Sequence, residues 1–362
     1  MSLGQVFPAQ YEQQLADKAI RLQQLLQALP LPTLQLYRSA DSHFRQRAEF
    51  RIWHNGDDLY HCMFDPATRQ PVRIDSFPVA TKPIANFMPV LLKAIQFNHE
   101  LRYRLYQADY LATTSGELLV SLIYKRKLDE QWLTAAQQLQ QELSPLYNVR
   151  FIGRARKQKL VVTDDFVTER FTVANTTLHY QQLEGSFTQP NAGVNQQMLN
   201  WAADCARGLS GDLLELYCGN GNFSLALASQ FGQVVATELA RSSIQSAKYN
   251  IALNNIENVQ VLQMSAEDVA AALQQGSKLK DLDLSTLQLN TVLVDPPRAG
   301  LDPATLELVS RFQSIIYVSC NPETLAANLM ELSNTHSISR LALFDQFPYT
   351  HHIETGVLLT KI

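Results

Sequence analysis

The feature that most restricts this chain is a change of rhythm near residue 190. Beyond it, short apolar runs alternate with helical patterns. Leu213 to Tyr217, Val234 to Glu238, Val259 to Gln263, Thr291 to Asp295, Ile315 to Ser319, Ile338 to Phe344 and Gly356 to Lys361 read as strands. Helices open near Asn195, Asn222, Ser242, Ala266, Pro303 and Pro322. Strands alternating with helices imply a parallel sheet covered on both faces. The last two runs follow each other with no helix between, so the sheet is expected to close on an antiparallel hairpin. Ligands of such sheets bind outside the carboxyl ends of the strands, so residues at those tips become the candidates. Gly276 to Gln288 reads as an insertion.

The chain before residue 190 follows other rules. Leu15, Ile20, Leu22, Leu25, Leu26 and Leu29 are spaced for an amphipathic helix from Gln10 to Leu29, stopped by Pro30 and Pro32. Ala48 to Trp53 and Leu59 to Phe64 alternate around Asn55-Gly56-Asp57, a hairpin signal. Pro83 opens a helix through Leu101, and Asp129 to Leu143 reads as another. Further strands are expected over Arg104 to Leu111, Glu117 to Tyr124, Val149 to Ile152, Leu160 to Val162, Phe166 to Val173 and Thr176 to Tyr180. The expectation is an α+β domain with an antiparallel sheet over residues 1–180, then an α/β domain with a seven-stranded Rossmann-like sheet over residues 181–362. A chain of 362 residues accommodates two such domains.

Composition narrows the function classes. No run of 18 apolar residues occurs, and Met1-Ser2-Leu3-Gly4-Gln5 lacks the features of a signal peptide, so a cytoplasmic protein off the membrane is expected. Cys62, Cys205, Cys218 and Cys320 show no Cys-x-x-Cys spacing, which argues against a bound metal cluster or a disulfide framework. The first three read as packing residues. The net charge of -4 by itself disfavours a polyanionic partner, but the distribution is uneven. Residues 1–180 hold 21 Lys+Arg against 17 Asp+Glu, and the remainder hold 9 against 17. A polyanion is therefore expected along the front half. Lys125-Arg126-Lys127 and Arg150, Arg154, Arg156, Lys157 and Lys159 are its candidate phosphate contacts; a solvated charged face is the alternative.

Two features point to a cofactor carrying adenosine. Cys218-Gly219-Asn220-Gly221-Asn222 follows a buried-strand pattern and opens a helix, so a ligand can approach the backbone there. Glu238 ends the next strand, where a carboxylate can accept hydrogen bonds from ribose hydroxyls; a helix-capping use is the alternative. These do not distinguish NAD from S-adenosylmethionine. Val294-Asp295-Pro296-Pro297-Arg298 adds a carboxylate at a strand tip followed by a stiff turn.

Cys320, in Ser319-Cys320-Asn321-Pro322, lies at the tip of the following strand. If the closing hairpin is antiparallel, His352-Ile353-Glu354-Thr355 returns to the same rim. A thiol and two carboxylates would then converge from distant segments. That set suits methylation of a pyrimidine at carbon 5, a poor nucleophile until a thiolate adds to carbon 6. Cys320 is the expected nucleophile and Glu354 the base that removes the carbon 5 proton. A thiolate calls for an electropositive or helix-terminal setting, which the helix opening at Pro322 is expected to supply. Taken singly, Cys320 reads as a core cysteine and Glu354 as a solvated carboxylate.

Phe187-Thr188-Gln189-Pro190-Asn191, the Tyr217 to Ser224 segment, Asp295-Pro296-Pro297-Arg298, Ser319-Cys320-Asn321-Pro322 and His352-Ile353-Glu354-Thr355 resemble, in order, the motifs of the RNA uridine-5-methyltransferases. The resemblance spans the chain and is greatest to the bacterial tRNA (uracil-5-)-methyltransferase type. It implies a class I methyltransferase domain preceded by an RNA-binding domain. It implies that Gln189, Tyr217, Asn222, Glu238 and Asp295 hold S-adenosylmethionine, that Cys320 and Glu354 are catalytic, and that no metal is involved. The implied substrate is the T-loop uridine in the T-arm of tRNA, converted to ribothymidine, with tmRNA as a second partner and a monomeric enzyme. A folded T-loop requires base flipping, for which Tyr106 or Tyr110 is a candidate platform, with sheet packing as the alternative; Arg298 is a further substrate contact. An rRNA uridine-5-methyltransferase is the nearer rival. An NAD oxidoreductase leaves Cys320 without a role, and an RNA-folding helper predicts RNA binding indifferent to Cys320.

Overall fold

The computed structural model describes residues 4–275, 278–279, 282–283 and 286–362. Met1 to Leu3 and residues 276–277, 280–281 and 284–285 of the expected insertion lie outside the described residues. Of that insertion, Lys278–Leu279 and Leu282–Asp283 pair as a short antiparallel ladder. The chain forms two compact units. The first contains the chain up to Pro8, Ala40–Arg170 and Gln181–Ala192, and the second contains Ala9–Ser39, Phe171–Tyr180 and Gly193–Ile362.

The first unit holds a seven-stranded sheet. Its order is Pro71–Ile74, Asp58–Phe64, Arg47–Asn55, Leu105–Ala112, Leu118–Tyr124, Val149–Ala155, Gln158–Val161. The strands run antiparallel except for Leu118–Tyr124 beside Val149–Ala155, which are parallel and joined by the helix Glu130–Leu143. That helix and Lys82–Ile95 bury Phe87, Met88, Leu91, Trp132 and Leu139 against Phe50, Ala108, Leu122 and Phe151. The helix expected from Pro83 through Leu101 stops at Ile95 and restarts at His99. Asn98 explains the break: its side chain accepts the Leu101 N–H at 3.1 Å and starts a new helical turn.

The second unit is numbered here by its own elements. Its strands are β1 (Leu34–Tyr37), β2 (Asp212–Leu216), β3 (Val234–Glu238), β4 (Val259–Gln263), β5 (Leu289–Val294), β6 (Ser314–Ser319), β7 (His336–Phe344) and β8 (Glu354–Lys361). Its helices are α1 (Tyr11–Leu25), α2 (Ala192–Ala206), α3 (Asn222–Leu227), α4 (Arg241–Leu253), α5 (Ala266–Gln275), α6 (Pro303–Val309) and α7 (Pro322–Leu332). The sheet order is β1-β7-β8-β6-β5-β2-β3-β4. All pairs are parallel except those of β8, which runs antiparallel to both β6 and β7. The seven strands read from the sequence are all present, and β1 adds an eighth at the edge.

A single cut after residue 180 does not describe these units. α1 turns Tyr11, Leu15, Leu22 and Leu26 into the core of the second unit beside Leu325, Leu329, Leu341 and Ile353, and β1 pairs with β7. The physical reason is that an amphipathic helix must bury its apolar stripe, and this stripe is buried in the C-terminal core. Phe166–Val173 and Thr176–Leu183 form a ribbon of their own, within which the chain passes from one unit to the other and back.

Candidate active site

The site forms at the carboxyl ends of β2, β3, β5 and β6 together with the start of β8. At the end of β2 the backbone turns sharply, and Tyr217 itself adopts a positive φ of 62°. Gly219 and Gly221 continue the turn at φ 56° and 83°, angles that cost glycine little. A Cβ on Gly219 would meet no described atom within 4 Å, so this side of the turn is open to a ligand. On Gly221 it would lie 2.6 Å from Cδ1 of Leu225, so α3 packs directly beneath.

The carboxylate of Glu238 is tied into this turn. Its Oε2 accepts the Gly219 N–H at 3.1 Å, and its Oε1 accepts the N–H groups of Leu239 and Ala240 at 2.9 and 2.8 Å. These bonds hold the turn that leads into α4, whose N-cap Ala240 has no side-chain cap. Asn222 forms a reciprocal amide pair with Asn195 at 2.9 and 3.0 Å, which fastens α3 to α2. Tyr217 is half-buried, and burial pushes its hydroxyl pKa up, with the Thr305 side chain in α6 opposing.

Cys320 and Glu354 come together through strand pairing. Ser319 of β6 pairs with Thr355 of β8. The ladder ends there, with Cys320 the next residue after β6 and Glu354 the first of β8, and the Glu354 charge acts on the Cys320 thiol. Glu354 is buried at 3% exposure, whereas Cys320 is only half-buried. Asp295, one residue beyond β5, lies close enough to influence both. Burial raises the Glu354 carboxyl well above the usual carboxylate range, and the charge of Asp295 adds to this. Asp295 is likewise pushed up by loss of water. The Cys320 thiol is pushed up to about 11 by burial first, then by Glu354 and Asp295, with Arg298 opposing. Of the electropositive or helix-terminal setting expected for Cys320, the helix start is present, with α7 opening at Pro322, while the charges acting on the thiol are mainly acidic. Two carboxylates face the sulfur, and their fields outweigh that of the Arg298 guanidinium.

Arg298 is exposed and held from both ends. Its carbonyl accepts from Nδ2 of Asn321 at 2.8 Å and from the Thr324 hydroxyl at 3.3 Å, and its guanidinium donates to Nδ1 of His352 at 2.7 Å. Asn328 of α7 secures the same loop: its Oδ1 accepts the Leu301 N–H at 3.0 Å and the Tyr317 hydroxyl at 2.8 Å. The proline turn after Asp295 is therefore braced by the helix that follows Cys320.

Several contributors escaped the sequence reading. Glu215 of β2 is fully buried, accepts a hydrogen bond from the Ser224 hydroxyl on Oε2, and has no hydrogen-bond partner on Oε1. Burial pushes its carboxyl up to about 8, with Asp295 and Glu238 adding to the shift and Ser224 opposing it. A carboxylate within an otherwise apolar strand was the available signal. Asn195 and Asn328 carried no signal beyond being asparagines inside helices.

Gln189 and Tyr106 belong to the first unit. Gln189 is half-buried in its Gln181–Ala192 segment. Tyr106 has the Arg51 guanidinium and the Lys125 ammonium each 3.8 Å from its ring centroid. These three, with Trp53 and Phe64, line a cavity of about 410 Å³. Tyr110 is not a platform: it is buried at 1% exposure, and its hydroxyl lies 2.6 Å from Nε2 of His61. Half of the candidate phosphate contacts are engaged within the unit. Arg126 pairs with Glu100, Arg150 with Glu117 and Asp164, Arg154 with Glu184, and Lys159 with Asp165. Lys127, Arg156 and Lys157 are exposed.

The sequence pattern of the family described as tRNA (Uracil-5-)-methyltransferase matches residues 10–362. The chain belongs to this family. A tRNA/tmRNA (uracil-C(5))-methyltransferase of Shewanella amazonensis is 53% identical over 357 residues, covering 98% of each chain. One of the same description from Aeromonas salmonicida is 52% identical, covering 98% of this chain and 95% of that one. Among solved structures, a tRNA (uracil-54, C5)-methyltransferase of Pyrococcus abyssi in complex with S-adenosyl-L-homocysteine is similar with a TM-score of 0.71. It is 22% identical, covering 97% of this chain and 83% of that chain, a likeness of fold. Among the described residues of this family member, no helix is long and apolar enough to cross a membrane, and no cluster of potential metal ligands occurs.

Proposed function

We propose that this protein methylates carbon 5 of the T-loop uridine of tRNA, and of the matching loop of tmRNA, in the cytoplasm, with S-adenosylmethionine as the methyl donor. Cys320 adds to carbon 6 of the uracil, forming the S–C6 bond and making carbon 5 nucleophilic. S-adenosylmethionine, when bound, supplies the electrophilic methyl group that carbon 5 takes up. Glu354 then accepts the carbon 5 proton, the S–C6 bond breaks, and the double bond between carbons 5 and 6 returns with the thiolate as leaving group. The observation that supports this reading is the meeting of the end of β6 with the start of β8, where Ser319 pairs with Thr355 and the charges of Glu354 and Asp295 act on the Cys320 thiol.

The donor set at the rim suits the cofactor. The carboxyl groups of Glu238 and Asp295 make this edge acidic. Such a field favours a cationic sulfonium and ribose hydroxyls, and it disfavours the pyrophosphate of NAD. Glu238 would hold the ribose, with Asp295, Tyr217 and Asn222 as its partners in the second unit. Burial raises the proton affinity of the Glu354 carboxyl, so its ionised form accepts a proton more strongly than a solvated carboxylate does.

The first unit is assigned to RNA binding, with Tyr106, Arg51 and Lys125 as the contact point and Arg298 of the second unit as a further substrate contact. A guanidinium stacked on a tyrosine offers a flat, cationic surface suited to an unstacked base or a phosphate. The test is methyl transfer from labelled S-adenosylmethionine to tRNA transcripts. Label should appear on a transcript with uridine in the T-loop and not on one with cytidine there. It should vanish with Cys320→Ala. Transfer to rRNA fragments in preference to tRNA, or full activity of Cys320→Ala, refutes the proposal.

A further inference from the structure

Glu354 begins β8 directly after the connection 345–353, which carries no strand or helix. A base that must reach one carbon atom needs that connection held. α1, far away in sequence, grips it at three points. Gln14, Lys18 and Arg21 are spaced four and three residues apart, so they form one polar stripe along the helix, beside its buried apolar stripe. Gln14 donates to Oδ2 of Asp345 at 2.7 Å and accepts the Tyr349 N–H at 3.3 Å. Lys18 donates to Oδ1 of Asp345 at 2.6 Å and to the Phe347 carbonyl at 2.8 Å. Arg21 donates to the His351 carbonyl at 2.9 Å and forms an ion pair with Glu323.

The last contact differs from the others. His351 stands three residues before Glu354, and Glu323 stands three residues after Cys320, in the first turn of α7. One guanidinium therefore bridges the segment leading to the base and the segment leaving the nucleophile. Lys18 and Asp345 are nearly or fully buried and anchor the helix, whereas Arg21 and Glu323 are 39% and 51% exposed. An exposed pair adds little to stability, so the bridge has little value as a fold element. Its value is geometric.

We infer that α1 is a clamp for the active site and that Arg21 is a positioning residue: by tying the His351 carbonyl to Glu323, it fixes Glu354 at the distance from Cys320 that proton removal from carbon 5 requires. This rests on the proposed roles of Cys320 and Glu354. Losing the bridge should leave addition of the thiol intact, because Cys320 is set by β6, and should slow the later proton transfer.

The experiment compares wild-type protein with Arg21→Ala, Arg21→Lys and Glu354→Gln, using tRNA with hydrogen or deuterium at carbon 5 of the T-loop uridine. For Arg21→Ala, kcat should fall about tenfold with KM for tRNA near the wild-type value, since small displacements of a catalytic group are costly. The deuterium isotope effect should rise above wild type, and a denaturation-resistant protein–tRNA adduct should accumulate. Arg21→Lys should recover part of kcat, and thermal unfolding of both variants should match wild type. Wild-type kcat and isotope effect in Arg21→Ala overturn the inference. So does a slow Arg21→Ala with an unchanged isotope effect and less adduct, which is the signature of general disorder. A slow, adduct-accumulating Glu354→Gln beside a wild-type Arg21→Ala sinks the clamp alone. Wild-type turnover by Glu354→Gln sinks the parent reading and the clamp with it.

Discussion

Replacing Glu215 with glutamine tests how strongly the acidic rim is strained. Glu215 is completely buried, its carboxyl is pushed up to about 8, and one of its oxygens has no hydrogen-bond partner. In the unfolded chain the same group titrates near 4.3. Folding therefore takes up a proton at every pH between those values. The stability associated with the neutral carboxyl is fully present below the unfolded pKa and is lost as pH rises towards the folded one. The slope is about 1.4 kcal/mol per pH unit, and the loss reaches roughly 4 kcal/mol at pH 7. Glutamine has no such linkage. Its own packing cost, from an amide placed where a carboxyl stood, is independent of pH. Urea unfolding of wild type and Glu215→Gln at a series of pH values from about 5 to 8 gives the difference in stability. That difference should move in favour of the variant by about 1.4 kcal/mol per unit and level off near the folded pKa. A difference that stays constant across this range refutes the claim that Glu215 is held neutral by burial.

Two other expectations follow from the same structure. With its thiol pushed up to about 11 by burial and two carboxylates, Cys320 in the free protein should be about one part in a thousand thiolate at pH 8. Its alkylation by iodoacetamide, measured by peptide mass spectrometry, should still rise tenfold per pH unit up to about pH 10; a plateau near pH 8 contradicts this. Lys18→Met removes the cation from a buried pair whose carboxylate is fully enclosed, which should cost roughly 3 kcal/mol. An unchanged urea midpoint would mean that Asp345 does not depend on Lys18.

Much of the catalytic unit was legible because its signals are local. Five-residue apolar strands such as Leu213 to Tyr217, each followed by a helix, leave few folds open, and the two final strands without an intervening helix dictate that Glu354 returns to the rim of Cys320. Local order could not reveal where the N-terminal helix packs. The stripe of Leu15 and Leu22 says only that something covers it, and the answer lies some 300 residues away, at Leu325 and Leu329. β1 was illegible for a similar reason: four residues, Leu34 to Tyr37, form a strand only because β7 offers an edge. The helix start beside Cys320 was visible in sequence, whereas the field of Asp295 and Glu354 on its thiol appears only once three strand ends meet. The pairing of the basic residues was also out of reach, since Arg150 and Arg154 meet acids that the chain brings in from 14 to 33 residues away.

The most direct measurement of the central claim uses tRNA with 5-fluorouridine at the T-loop position, incubated with the protein and S-adenosylmethionine. Fluorine cannot be removed as a proton, so the reaction should stop with the RNA joined to the protein. Digestion and mass spectrometry should find the modified, methylated fluorouridine on the peptide containing Cys320, with none formed by Cys320→Ala. No covalent complex, or a nucleotide attached to Cys62, Cys205 or Cys218 instead, would contradict the account.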